Sequence, residues 1–132
     1  MDLVTRDEKN QKRAILFSAL ERNEYQQPLI KAAYAVFLNQ SHLAIDLLKP
    51  LADAAIPEAM CMLGAVYQAG AGINTDAELA LNYLLQALEA GNGVAAHNLF
   101  NLYHKGIEGI PANEETCLYY LGQARQMGMY HS

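Results

Sequence analysis

The sequence predicts an all-α protein, a short right-handed α-solenoid of stacked antiparallel helix pairs with about seven helices. Three observations predict this fold class. A block of residues recurs at a fixed interval, apolar residues recur every three or four positions, and glycines stand where the helical pattern stops. The apolar–polar alternation that would indicate strands is absent from the sequence.

The repeat interval is 36 residues, and it becomes 37 after one inserted loop residue. At the first interval, Ala59, Leu63, Tyr67 and Gly70 match Ala95, Leu99, Tyr103 and Gly106. At the second interval, Gly72, Ile73, Ala80, Tyr83, Ala87 and Gly91 match Gly109, Ile110, Cys117, Tyr120, Ala124 and Gly128. Upstream, Ala44 and Leu47 match Ala80 and Tyr83 more weakly. The sequence therefore contains two clear repeats and a degenerate one before them.

The predicted helices follow from this frame, two to each repeat and one extra at the start. In chain order they span about residues 6–23, 28–38, 42–54, 57–69, 76–90, 94–105 and 113–127. We therefore predict an N-terminal polar segment and capping helix over residues 1–27 and repeats over residues 28–132. Of the repeats, 28–56 is degenerate, and 57–93 and 94–132 are well formed.

Local signals support several helix boundaries. Thr75 with Glu78 predicts a capping box at the fifth helix, and Thr5 with Glu8 predicts the same device at the first. Pro57 suits a first helical turn, where no backbone hydrogen bond is lost. Pro50 falls inside the third predicted helix, so we expect a kink there.

Composition narrows the class of function. The 132 residues are 52% hydrophobic and carry a formal net charge of −5, so an extended basic surface for nucleic acid is not expected. No apolar run approaches the roughly 20 residues of a membrane span, and the first run, residues 14–17, is too short for a signal-peptide core. We expect a cytoplasmic protein with no membrane partner, in which Cys61 and Cys117 remain free thiols.

The repeat blocks carry a family resemblance. Residues 59–73, followed by Asp76, Ala80, Tyr83, Ala87 and Gly91, resemble the Sel-one-like repeat, which is related to the tetratricopeptide repeat but has a longer, glycine-bearing loop. The resemblance covers about residues 28–128. Phe100 in place of Gly64, Cys117 in place of Ala80 and one extra loop residue depart from it. Because members of this family generally act as adaptors or scaffolds, the resemblance implies a non-enzymatic protein-binding role.

The predicted binding surface is a concave face formed by the first helices of the repeats. His97, Asn101 and His104 lie at i, i+4 and i+7 on one helix and would form a polar strip, which Lys105 extends. The other residues expected on this face are Lys31, Glu58, Cys61 and Gln68. The strip could equally be ordinary solvated helix surface.

The sequence gives less support for a metal site, a catalytic site or a phosphate-binding site than for a protein-binding surface. A metal site is disfavoured because His97 and His104 would lie about 10 Å apart along the helix axis. Cys61 and His97 are the one cysteine–histidine pairing at comparable positions of neighbouring repeats, and we interpret it as coincidence. The glycine loops lack the strand before them and the lysine after them that a phosphate site needs. No catalytic residue, cofactor or metal is predicted.

Two hypotheses about partners remain open. The leading one is a protein or peptide segment bound on the concave face, and the alternative is an immunity-type or antitoxin-like protein that neutralises a toxin by tight 1:1 binding. The last helix has no predicted successor to cover it, so Leu118, Tyr119 and Leu121 are also candidates for a homodimer interface.

Overall fold

The computed structural model describes residues 26–129, which form six helices. They are α1 (Gln26–Phe37), α2 (Ser41–Asp53), α3 (Pro57–Ala69), α4 (Ala77–Glu89), α5 (Gly93–Lys105) and α6 (Glu114–Gln126). Each lies within two residues of its predicted span at either end. The predicted helix over 6–23 and the predicted capping box at Thr5 lie outside the described residues.

The predicted all-α solenoid is confirmed. Each helix packs against the next one along the chain, and α3 also contacts α1 and α5, its counterparts in the neighbouring pairs. The second helices, α2, α4 and α6, contact one another far less. The first helices therefore pack closer to one another than the second helices do, and the side that they form is called the inner side of the stack. None of the helices described has the length and apolar content needed to cross a bilayer.

The buried side chains of the core recur at the same interval as the sequence repeat. Leu63 in α3 and Leu99 in α5 are fully buried at equivalent positions. Each of the two clear repeats also contains a stacked tyrosine pair that joins its helices. The ring centroids of Tyr67 and Tyr83 are 6.3 Å apart and those of Tyr103 and Tyr120 are 5.8 Å apart. Equivalent residues therefore make equivalent contacts in both repeats.

The loops inside the two clear repeats are held by equivalent backbone hydrogen bonds. The Asp76 N–H donates to the Tyr67 carbonyl, and the Asn113 N–H donates to the Tyr103 carbonyl. Gly70 ends α3 with a φ of 65°, in the left-handed region that glycine adopts without strain. In the longer loop, a short antiparallel bridge joins Ile107 to Ile110 and absorbs the inserted residue.

The predicted capping box at Thr75 is wrong. The N-cap of α4 is Asp76, whose carboxylate accepts from the Leu79 N–H at 3.0 Å. Asn113 caps α6 in the same way, at 3.0 Å from the Thr116 nitrogen. A carboxylate or amide oxygen at this position satisfies a free helical N–H as well as a hydroxyl does. The helix simply begins one residue later than the Thr75–Glu78 pair suggests.

Pro50 and Pro57 both lie in the helices in which the sequence places them. Pro57 lies at the first turn of α3, as expected. Pro50 lies inside α2, which continues through it to Asp53. The side chain of Pro50 is exposed, so its ring lies on the outer surface of the helix rather than in the core.

Candidate protein-binding site

A pocket of about 450 Å³ lies between α3 and α5 on the inner side of the stack. Its size falls in the range of about 300–1,000 Å³ that is typical of ligand-binding clefts. It is lined by Ala65, Gln68, Ala69, Asn98, Asn101, Leu102, Lys105, Gly106 and Ile107. Three residues predicted for the binding surface, Gln68, Asn101 and Lys105, therefore line one cavity.

The polar lining is rich in side-chain amides. Gln68 extends from the last turn of α3, and its Oε1 atom is buried without a hydrogen-bond partner among the described residues. Asn98 and Asn101 lie one turn apart on α5, with Lys105 a further turn along. An amide presents both a donor and an acceptor, so the pocket can bond a ligand that carries both.

Cys61 lies beside this pocket but is buried, with 5% of its surface exposed. Asn98 Nδ2 donates to its Sγ at 3.5 Å, which ties α5 to α3. Burial raises the pKa of the Cys61 thiol to about 11, the Asn98 hydrogen bond lowers the pKa in part, and the negative charge of Glu58 raises it further. Cys61 is therefore a protonated thiol at neutral pH, and its position suits packing better than recognition.

His97 and His104 lie beside the pocket rather than in its lining. Asn101 Nδ2 and His97 Nε2 are 3.1 Å apart, an interaction in which the amide donates when that ring nitrogen carries no proton. The Phe100 ring stacks on His104 with centroids 5.9 Å apart and contacts His97 at 6.3 Å. The predicted strip is thus divided, with Asn101 turned to the pocket and both histidines arranged around Phe100.

The remaining predicted residues lie elsewhere. Glu58 is exposed on α3 and does not line the pocket. Lys31 lines a second, mostly apolar cavity of about 390 Å³ between α1 and α2, together with Ile30, Tyr34, Ala35, Gln40, Leu43 and Leu47. Lys31 is therefore not grouped with Gln68, Asn101 and Lys105.

Asn98 was missed by the sequence analysis. The lining of α5 follows the spacing 98, 101, 105, which is i, i+3 and i+7, and Asn98 is the first member of that row. This spacing was readable in the sequence. The predicted strip over 97, 101 and 104 lies next to this row on the helix surface. Helical spacing alone does not determine which of two adjacent rows faces the pocket.

The last described helix carries exposed apolar side chains. Leu118 is 55% and Tyr119 is 60% exposed, and Leu121 is half-buried. Tyr119 packs edge-on against Tyr120, with ring centroids 5.1 Å apart. Within residues 26–129, no group of three histidine, cysteine or acidic side chains lies close enough together to hold a metal ion.

These features define a class of protein, a helical-repeat module whose paired helices stack into a solenoid with a polar inner pocket. The family model for the Sel1 repeat matches residues 57–92 and 93–129, and the chain belongs to the Sel1 repeat family. A comparison with curated proteins found no significant match. Sel1 repeats are generally protein–protein interaction modules, and proteins built from them are typically non-enzymatic scaffolds.

Proposed function

We propose that this protein is a non-enzymatic adaptor that binds a segment of another protein in the pocket between α3 and α5. The observation that carries the proposal is the cavity of about 450 Å³ between two first helices, lined by Gln68, Asn98, Asn101 and Lys105. Polar side chains gathered around a concave site give orientation and specificity to a bound segment. Cytoplasmic location is part of this proposal, and the two free, buried thiols are consistent with a reducing compartment.

The experiment is affinity purification of interacting proteins from the cells that produce this chain, comparing wild type with three variants. The pocket variant is Gln68→Ala, Asn101→Ala, Lys105→Ala, and the strip variant is His97→Ala, His104→Ala. The matched control, Gln86→Ala, Asn82→Ala, Lys49→Ala, removes the same three residue types from exposed positions of the second helices. Circular dichroism establishes that each variant remains folded.

We expect a protein that is retained by wild type and by the control to be lost with the pocket variant. Retention by the pocket variant together with loss from the strip variant would move the binding surface to His97 and His104 and contradict the proposal. The toxin-neutralising alternative predicts a single partner held in a tight 1:1 complex, which stoichiometry and dissociation rate distinguish from an adaptor that exchanges partners.

A second surface is proposed for self-association, through Leu118, Tyr119 and Leu121 on α6. It is supported by the exposure of Leu118 and Tyr119, because apolar side chains grouped on a surface favour burial against a partner. Light scattering after size exclusion should give a dimer for wild type and a monomer for Leu118→Glu, Tyr119→Glu. A wild-type monomer at high concentration excludes this surface as a homodimer interface.

A further inference from the structure

We propose that residues 6–23, the N-terminal segment, form a helix that docks into the apolar groove between α1 and α2 of the same chain. This groove is the cavity of about 390 Å³ lined by Ile30, Lys31, Tyr34, Ala35, Gln40, Leu43 and Leu47. The sequence predicts a capping helix over these residues, and the inference assigns the surface that the helix covers. It is independent of the proposed function, because it concerns a different cavity.

The groove is an apolar surface at the first described helix pair. Three of its lining side chains, Ile30, Tyr34 and Leu43, are 58%, 64% and 48% exposed. Large apolar side chains grouped in this way mark a surface that another element covers. Further along the stack, the second helix of one unit packs against the first helix of the next, as α2 does on α3 and α4 does on α5. Among the first helices that the structure describes, α1 alone follows no described helix.

The groove lies on the side of its helix pair that faces back along the solenoid. Burial raises the pKa of Tyr83 on α4, and the negative charge of Asp53, the last residue of α2, raises it further. Tyr83 therefore lies on the side of α4 that is near the preceding second helix. Leu47 is the counterpart of Tyr83 in α2 and lines the groove. A helix that precedes α1 would thus lie at the groove.

The N-terminal segment has apolar residues at the positions where a second helix is buried. Phe17 matches Leu48 of α2, because each stands nine residues before the start of the following helix. Leu20 matches Leu51 in the same way, six residues before that start. Leu48 and Leu51 are both buried in the core. The segment therefore calls for an apolar surface at the α1–α2 pair, which the groove provides.

The position of the segment in the chain favours it over any other occupant. It is predicted to end at residue 23, and α1 begins at Gln26, so the link between them is two residues long. Connections this short place consecutive helices side by side and antiparallel. A short tether also gives the segment an effective concentration of about millimolar, above that of most free partners. Its own chain is therefore the occupant that the groove meets first.

The test is hydrogen–deuterium exchange of the full-length protein, read by mass spectrometry on fragments that cover the N-terminal segment. The segment variant is Phe17→Gln, Leu20→Gln, and the groove variant is Ile30→Gln, Leu43→Gln. Because Ile30 and Leu43 are exposed among the described residues, the groove variant should leave helices α1 to α6 folded. Circular dichroism verifies this.

Each variant has a matched control. The segment control is Ser18→Gln, Arg22→Gln, which changes positions whose counterparts in α2 are exposed. The groove control is Leu85→Gln, Val94→Gln, which removes two exposed apolar side chains from a different surface. Exchange is measured at a low and at a high protein concentration.

We expect the amides of residues 14–23 in wild type to exchange at least about tenfold more slowly than in an unstructured peptide of the same sequence. The segment variant should remove most of this protection. The groove variant should also remove it, although it changes no residue of the segment. Both controls should keep it. Protection should be equal at the two concentrations, because docking occurs within one chain.

Three outcomes overturn the inference. The first is a wild-type segment without protection, or with protection that the groove variant leaves unchanged. The second is protection that increases with protein concentration, which assigns the groove to a second copy of the chain. The third is an unprotected segment together with a captured partner that the groove variant loses, which assigns the groove to another protein. The pocket between α3 and α5 is tested by other variants, so the two proposals fail separately.

Discussion

The two clear repeats, residues 57–92 and 93–129, share a plan and differ on one face. Both bury a leucine at the centre of the first helix, and both stack a tyrosine from each helix. On the face that follows along the solenoid, the second repeat carries Cys61, Gly64 and Gln68. At the equivalent positions the third repeat carries His97, Phe100 and His104.

The difference can be compared with what packs against this face in each repeat. In the second repeat, α5 lies against this face, where Asn98 bonds Cys61, and Gly64 leaves room for the buried Leu84 of α4. In the third repeat, no described helix follows. Leu121, the counterpart of Leu84, is only half-buried, and the ring of Phe100 lies along its own helix on His104. Cys61 therefore marks the part of this face that the next repeat covers, whereas Gly64 marks the part that packs against α4 of its own repeat, where the third repeat has the half-buried Leu121 of α6 in place of Leu84.

The largest expected effect tests the shared part of the plan. Leu63→Ala and Leu99→Ala each remove a fully buried side chain and should lower the free energy of unfolding by about 2–5 kcal/mol. In the monomeric protein, at a concentration too low for self-association, Leu118→Ala at a position 55% exposed should change it by less than about 0.5 kcal/mol. Urea denaturation measures all three. A cost at Leu118 equal to that at Leu63 would mean that α6 is covered in solution.

The next effect tests the covered face through Cys61, whose pKa is raised by burial from 9.0 to about 11. Because the folded state holds this proton more tightly, its contribution to stability is fully present below pH 9 and is lost as the pH rises through about 11. The loss should reach roughly 2–3 kcal/mol relative to Cys61→Ala, which has no thiol to ionise. Urea denaturation of both proteins from pH 7 to about 11 measures the difference. Parallel stability curves for the two proteins contradict the burial of this thiol.

A smaller effect compares Gly64 with Phe100. A Cβ at position 64 would lie 2.6 Å from Leu84 Cγ and 3.2 Å from the Ala80 carbonyl oxygen. Overpacking of this kind costs about 1–3 kcal/mol, and the better helix propensity of alanine offsets part of it. We expect Gly64→Ala to lower stability by about 1–2 kcal/mol in thermal or urea denaturation.

The matched variant at the equivalent position is Phe100→Ala. It removes a half-buried ring and its contacts with two histidines, so we expect a loss of about 1 kcal/mol. A Gly64→Ala protein that is more stable than wild type would show that Leu84 moves freely, and the contrast between the two faces would then fail.

Most of the fold could be predicted from the sequence, because the repeat itself encodes it. At the interval of 36 residues, equivalent helices carry the same apolar side chains at the same positions. Equivalent helices are therefore expected to pack in the same way. Helix starts were less predictable. Thr75 and Asp76 are adjacent potential caps, and the backbone hydrogen bond from Asp76 to Tyr67 favours the second.

The candidate site was only partly predictable. Gln68, Asn101 and Lys105 were expected on one surface and line one pocket, whereas Lys31 lines a different cavity. Rotation of α5 by a single residue decides whether His97 or Asn98 faces α3. That rotation depends on how the side chains of two repeats pack together, which the residue spacing within one helix does not contain.

The paired tyrosines also give the protein an optical signal for each repeat. The chain has no tryptophan, so tyrosine absorbance and near-ultraviolet circular dichroism are not masked by indole. The Tyr67–Tyr83 rings lie nearly parallel, at 7°, and the Tyr103–Tyr120 rings at 14°. Because the chain has eight tyrosines, the difference between wild type and a protein with one pair replaced by phenylalanine isolates the signal of that pair. A pair of such proteins can therefore report whether neighbouring repeats melt together or one after the other.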